Sequence, residues 1–201
     1  MAFGNSTGDQ QMLEYTQGGG GARFELLVLH GAALLRADLY EEVEADKSAM
    51  GQAMLVVALS SVASGLGGGE AGVKAVLAGI VAAWLGWLLW AWLAWFIGTK
   101  LLAEAQTDAD LGQLLRTTGF SAAPGLLRVL GFLPVVGRVI TALVQVWMLA
   151  AMVVAVRQAL DYRGTGRALA VCLVGWLIYV IVGVVIAFAV MGRLDSGGLA
   201  A

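Results

Sequence analysis

The chain has one cysteine, one histidine and two prolines, and charged residues make up only 13% of it. Each scarcity excludes something. Cys172 alone allows no intramolecular disulfide and no cysteine-based metal cluster. Set in an apolar run, it reads as a small packing residue with an unreactive thiol. His30 has no second histidine to work with, Ser121 has no base at a recognisable spacing, and no His-Glu or Asp-Asp pair falls within an apolar segment. The expectation is therefore no catalytic residues, no cofactor and no metal. Lysine is confined to Lys47, Lys74 and Lys100, and no basic stripe with interleaved aromatics occurs, so no nucleic-acid partner is expected.

What is abundant is apolar. Hydrophobic residues account for 60% of the chain, too many for a soluble domain of this size, and the fold class expected is an all-α, polytopic integral membrane bundle. The remaining bases are arginines in a background of Ala, Gly, Val and Leu, a bias associated with GC-rich bacterial genomes. It suggests a bacterial cytoplasmic (inner) membrane.

Residues 1–22 are polar, end in the run Gly18 to Gly21 and lack a basic region ahead of an apolar core, so they are expected to be a disordered tail. Residues 23–47 are expected to form an amphipathic interfacial helix. Arg23, His30, Asp38 and Glu41 fall on one stripe, and Val28, Leu29, Ala32, Leu39, Tyr40 and Val43 fall opposite. Its acidic end, with Glu41, Glu42 and Asp46, reads as a solvated face, with docking of a partner as the competing reading.

Residues 48–192 are expected to be the membrane domain. Ser48 is the expected N-cap of a first span from Ala49 to about Leu66, in which Gln52, Ser60 and Ser64 are polar enough to bond across helices. The second span, Ala75 to about Gly98, places Gly79, Ala83 and Gly86 on one face. Trp84, Trp87, Trp92 and Trp95 lie broadly opposite, toward lipid or headgroups. Between Thr99 and Gly119, Leu111, Leu114 and Leu115 suggest a short interfacial helix.

The stretch from Thr117 to Val156 is too long for one span. It must break where Pro134 removes a backbone donor and Gly137 a side chain, giving a hairpin of two crossings. Ala168 to Met191 forms the last span, and residues 193–201 a short frayed tail. With five spans and a cytoplasmic N-terminus, Arg23, Arg36, Lys47, Lys100, Arg116, Arg157, Arg163 and Arg167 are inside, whereas Lys74, Arg138 and Arg193 are exported with the C-terminus. A re-entrant segment from Gly119 to Gly137 would leave four spans and export the cluster Arg157, Arg163, Arg167.

Three features occur in a telling order: Asp46-Lys47-Ser48-Ala49-Met50-Gly51-Gln52-Ala53 leading into the first span, a Trp-rich second span, and Gly119-Phe120-Ser121-Ala122-Ala123-Pro124 opening the third. From about Leu34 to the last span the chain resembles the Yip (Ypt/Rab-interacting protein) domain family, in a bacterial-type form. The Gly-Phe-Ser-x-x-Pro element is similar to the Gly-Tyr-x-x-x-Pro signature of eukaryotic members. The resemblance implies five spans with the N-terminus cytoplasmic and the C-terminus exported. Eukaryotic relatives bind prenylated Rab GTPases, but this chain lacks the Asp-Leu-x-Gly-Pro element before the first span, and that activity is not carried over.

The function expected is a non-enzymatic membrane scaffold that binds partners or organises lipid. Its partners would be membrane lipid, other membrane proteins, or a second copy met through small-residue helix faces. The alternatives are a small transporter or lipid translocator, for which Arg128 is the best argument, and an accessory subunit of a larger complex. An arginine inside a span costs at least ~2.5 kcal/mol. Arg128 is expected to snorkel or to cap carbonyls freed near Pro124, with Gln52, Ser60, Ser64 or Gln145 as the available partners.

Overall fold

A computed structural model describes residues 34–69 and 72–198. The expectations for residues 1–33, including the Arg23 and His30 part of the amphipathic stripe, lie outside them. Six α-helices carry the described fold: α1 (Ala37–Ala45), α2 (Met50–Gly67), α3 (Val73–Phe96), α4 (Leu111–Phe120), α5 (Val136–Ala159) and α6 (Thr165–Gly198). A 3-10 helix, Ala123–Phe132, follows α4, and no strand occurs among the described residues. α6 continues as helix through much of what was expected to be a frayed tail.

Four segments are long and apolar enough to cross a membrane: Lys47–Gly67, Val73–Leu101, Val136–Ala159 and Thr165–Val185. The segment between α3 and α5 differs from the others. It is a ten-residue α-helix continued by a ten-residue 3-10 helix, rather than the α-helical span expected. Its start is the short helix expected between Thr99 and Gly119, and Leu114, Thr117, Thr118 and Phe120 are all buried against protein.

This composite segment lies along α2 and runs in the same direction. Gly119 faces Ala53, Gly125 faces Ser60, and Gly67 meets the backbone of Arg128 and Gly131. A 3-10 helix rises about 2.0 Å per residue against 1.5 Å for an α-helix. The shorter run Gly119 to Gly131 therefore keeps pace with the longer run Ala53 to Gly67.

Helix starts are set locally. Ser48 was expected to cap the first span, but the cap is Asp46, whose Oδ1 accepts from the Ser48 amide at 2.8 Å and from its hydroxyl at 2.7 Å. α4 opens with a reciprocal box: the Gln113 amide donates to Asp110 Oδ1 at 2.7 Å, and the Asp110 amide donates to Gln113 Oε1 at 2.6 Å. The expected break at Pro134 is present. Leu133 leaves the 3-10 helix in an extended conformation. Val135, at φ 64° and ψ −57°, then sits at the centre of a γ-turn closed by the Val136 amide donating to the Pro134 carbonyl at 2.7 Å.

The tryptophans of α3 correct the expected orientation. Trp84 Nε1 donates to the Met54 carbonyl at 3.0 Å, Trp87 Nε1 to Thr118 Oγ1 at 3.2 Å, Trp90 Nε1 to Met152 Sδ at 3.1 Å and Trp95 Nε1 to the Ala109 carbonyl at 3.0 Å. Trp92 is 45% exposed. An indole buried against protein needs an acceptor for its N–H, and each of these four has one. Trp92 alone of the tryptophans expected to face outward does so, on a face it shares with Leu77, Val81, Leu85, Leu88 and Phe96.

Candidate functional site

Three chain segments far apart in sequence meet at one end of the bundle: α1, the connection between α3 and α4, and the turn between α5 and α6. α1 is anchored by Tyr40 and Val43, both fully buried in a cluster with Ala53, Trp87, Phe120 and Ala155. Within the described residues, then, the apolar side of the first helix packs on protein rather than on lipid.

No basic residue occurs in the last turn of α1, although the free carbonyls at a helix C-terminus call for donors and for positive charge. Arg116 of α4 supplies both. Its Nε donates to the Val43 carbonyl at 3.2 Å and its Nη2 donates to the Glu44 carbonyl. The residue is 5% exposed. Gln113 Nε2 donates to Glu44 Oε1 at 2.9 Å, and Gln158 of α5 donates to Glu41 Oε1 at 2.8 Å.

Burial first, then the charge of Asp161, raises the Glu44 carboxyl to about 7, with Arg116 opposing and Glu41 and Asp110 adding smaller repulsions. Burial likewise holds the Tyr40 hydroxyl above the usual phenol range.

The two connections are tied together. Tyr162 donates its hydroxyl to the Gly98 and Leu102 carbonyls at 2.9 and 3.0 Å. Arg167 pairs with Glu104 at 3.3 Å and donates to the Ala103 carbonyl at 3.1 Å. Gln106 Nε2 donates to the Asp161 carbonyl at 3.1 Å. The result is a braced polar platform from which Glu41 and Glu42 project into solvent.

The residues singled out from sequence divide between the two ends. Glu41, Glu42 and Asp46 lie on or beside the platform, and Phe120 underpins it. Gly119 is required for close approach, because a Cβ there would lie 2.7 Å from Ala53 Cβ and 3.1 Å from Trp87 Cζ2. Ser121 is buried and donates to the Thr118 carbonyl at 2.6 Å, which gives it a structural hydrogen bond. Pro124 is buried at the start of the 3-10 helix, where its missing N–H costs little. Gln52 has a buried Oε1 with no hydrogen-bond partner.

Arg128 and Pro134 belong to the opposite end. Arg128 is level with Gly67, the last residue of α2, and its Nη2 donates to Gln145 Oε1, one of the acceptors expected. Sequence reasoning missed Gln113, Arg116, Gln158 and Tyr162. The Asp110-x-x-Gln113 spacing was the available signal for the first of these.

A family model described as the Yip1 domain matches residues 37–187. No curated protein and no solved structure matches the chain.

Proposed function

Because the chain belongs to the Yip1 domain family, an assignment that agrees with its apolar helices as an integral membrane protein, we propose that it is a non-enzymatic scaffold that presents the braced platform to partner proteins. The observation that carries this is the clamp on α1. Arg116, Gln113 and Gln158 hold the helix from two others, fixing Glu41 and Glu42 in an exposed position. Such bracing is what a recognition surface needs, since order imposed before binding does not have to be imposed during it.

We further propose five crossings, the third made by α4 and the 3-10 helix together. Its parallel course along α2 supports this, as does the charge distribution: Arg157, Arg163 and Arg167 then share the platform side with Lys47 and Lys100, and the N-terminus is cytoplasmic. A translocator has less support, because Arg128 lies level with the end of α2 rather than at its middle.

The scaffold is tested with a photo-crosslinking residue in place of Glu42 in native membranes, and a second one in place of Leu177 on the lipid-facing side of α6. The expected result is a discrete protein adduct from position 42 that is lost when Glu41 is changed to Lys. The absence of an adduct, or one that survives charge reversal, would refute the proposal.

A further inference from the structure

At the end of the bundle away from the platform, three backbones converge. A Cβ at Gly67 would strike the Arg128 carbonyl, one at Gly131 would lie 3.0 Å from the Gly67 carbonyl, and one at Gly137 would strike the Gly131 carbonyl. These three glycines let α2, the 3-10 helix and α5 close to backbone contact, the arrangement small residues permit between membrane helices. Above them opens a groove of about 490 Å³, lined by Ser64, Arg128, Arg138, Thr141 and Gln145 together with the glycine backbone.

The groove has two guanidinium groups and no carboxylate among its lining residues. Glu70, the nearest acidic residue in sequence, lies outside the described residues. Arg128 uses Nη2 on Gln145, and its Nε is buried with no hydrogen-bond partner. A buried donor on a charged group is costly to leave unpaired. Arg138 is exposed in the first turn of α5, whose positive end adds to the attraction for an anion. Thr141 already donates its hydroxyl to the Gly137 carbonyl at 2.9 Å, so the donors left for a ligand are the two arginines, the Ser64 hydroxyl and the Gln145 amide.

We propose that this groove binds a phosphate group, with the guanidinium groups of Arg128 and Arg138 as its principal donors. Guanidinium forks match phosphate oxygens in geometry and charge. The end of α2 is also the depth at which the headgroups of surrounding phospholipids would lie. The two sources of such a group are the phosphodiester of an anionic lipid and free phosphate. The proposal is independent of the platform at the other end.

The test uses the full-length protein. Native mass spectrometry would follow retention of added phosphatidylglycerol against phosphatidylcholine. A parallel thermal-shift series would compare inorganic phosphate with chloride at matched ionic strength. Arg138→Gln and Arg128→Gln are each expected to weaken binding about tenfold, the loss that one charge-assisted contact implies. Lys74→Gln, outside the groove lining, should leave binding unchanged. Because Arg138 is exposed, its variant keeps the test valid should the Arg128 variant fail to fold.

Preferential retention of phosphatidylglycerol without a response to inorganic phosphate assigns the lipid as the source. A response to inorganic phosphate assigns the free anion. Equal retention of both lipids with no phosphate response would overturn the proposal, as would binding that Arg138→Gln leaves intact.

Discussion

Arg116 Nε lies 3.2 Å from the Val43 carbonyl, joining α4 to the last turn of α1 across 73 residues of sequence. This contact and its neighbour at Glu44 place a cation where α1 has none of its own. They also explain why an arginine is tolerated at 5% exposure, since its Nε and Nη2 are paired with helix-terminal carbonyls.

Replacing Arg116 with Met should keep the packing volume and remove those donors. The loss expected is about 1–3 kcal/mol, the penalty for buried carbonyls left without partners. Hydrogen exchange is the direct measurement, with amides of α1 exchanging faster in the variant while those of α5 stay protected. Unchanged protection of α1 would mean that Tyr40 and Val43 hold the helix by themselves.

Glu44 should make the docking of α1 depend on pH. Its carboxyl is raised from 4.5 to about 7 by burial first, then Asp161, against the opposing charge of Arg116. The folded state therefore binds the proton more tightly than the unfolded chain. The stabilisation is fully present below the unfolded value and is lost as pH rises through the folded one. Thermal midpoints should fall between about pH 5 and about pH 8. Glu44→Gln, which keeps an acceptor for Gln113, should flatten that slope; an equal slope in the variant would assign the effect to other groups.

Gly119→Val should destabilise the bundle by about 1–3 kcal/mol, the usual cost of overpacking a tight contact, because any Cβ there meets Ala53 and Trp87. Gly183→Ala serves as the comparison, since a Cβ at Gly183 has nothing within 4 Å. Detergent melting of the two variants should separate clearly, and equal melting temperatures would show that the contact relaxes at no cost.

Val135→Gly should raise stability. A β-branched residue at φ 64° is strained by roughly 1–2 kcal/mol, and glycine gives back part of that gain through its freer unfolded chain. The net gain expected is about 1 kcal/mol in melting experiments, and a loss would show that the exposed valine makes contacts worth more than the strain.

Five crossings predict that, in a Cys172→Ala background, a cysteine at Ser196 is labelled by an impermeant reagent in intact cells and one at Thr165 is not. Labelling at Thr165 from outside would mean that the composite third segment returns to the side it came from.

Much of this architecture was legible from residue order alone. Long apolar runs dictate membrane helices, because a backbone in lipid must satisfy its own hydrogen bonds, and Pro134 dictates a break because it cannot donate one. The Gly119 to Pro124 element was also readable, and the structure places it where α4 meets α2. What tertiary structure decided is which way each face looks. Trp84, Trp90 and Trp95 of α3 turn inward because acceptors on α2, α5 and the segment leading into α4 await their indoles. Lipid and protein interior are equally apolar, so composition could not distinguish them. The stretched 3-10 course of the third segment, and with it the depth of Arg128, depended on glycine contacts with α2 and α5. The buried role of Arg116 depended on carbonyls 72 and 73 residues away. No local pattern encodes a partner at that distance; only the packed bundle brings the two together.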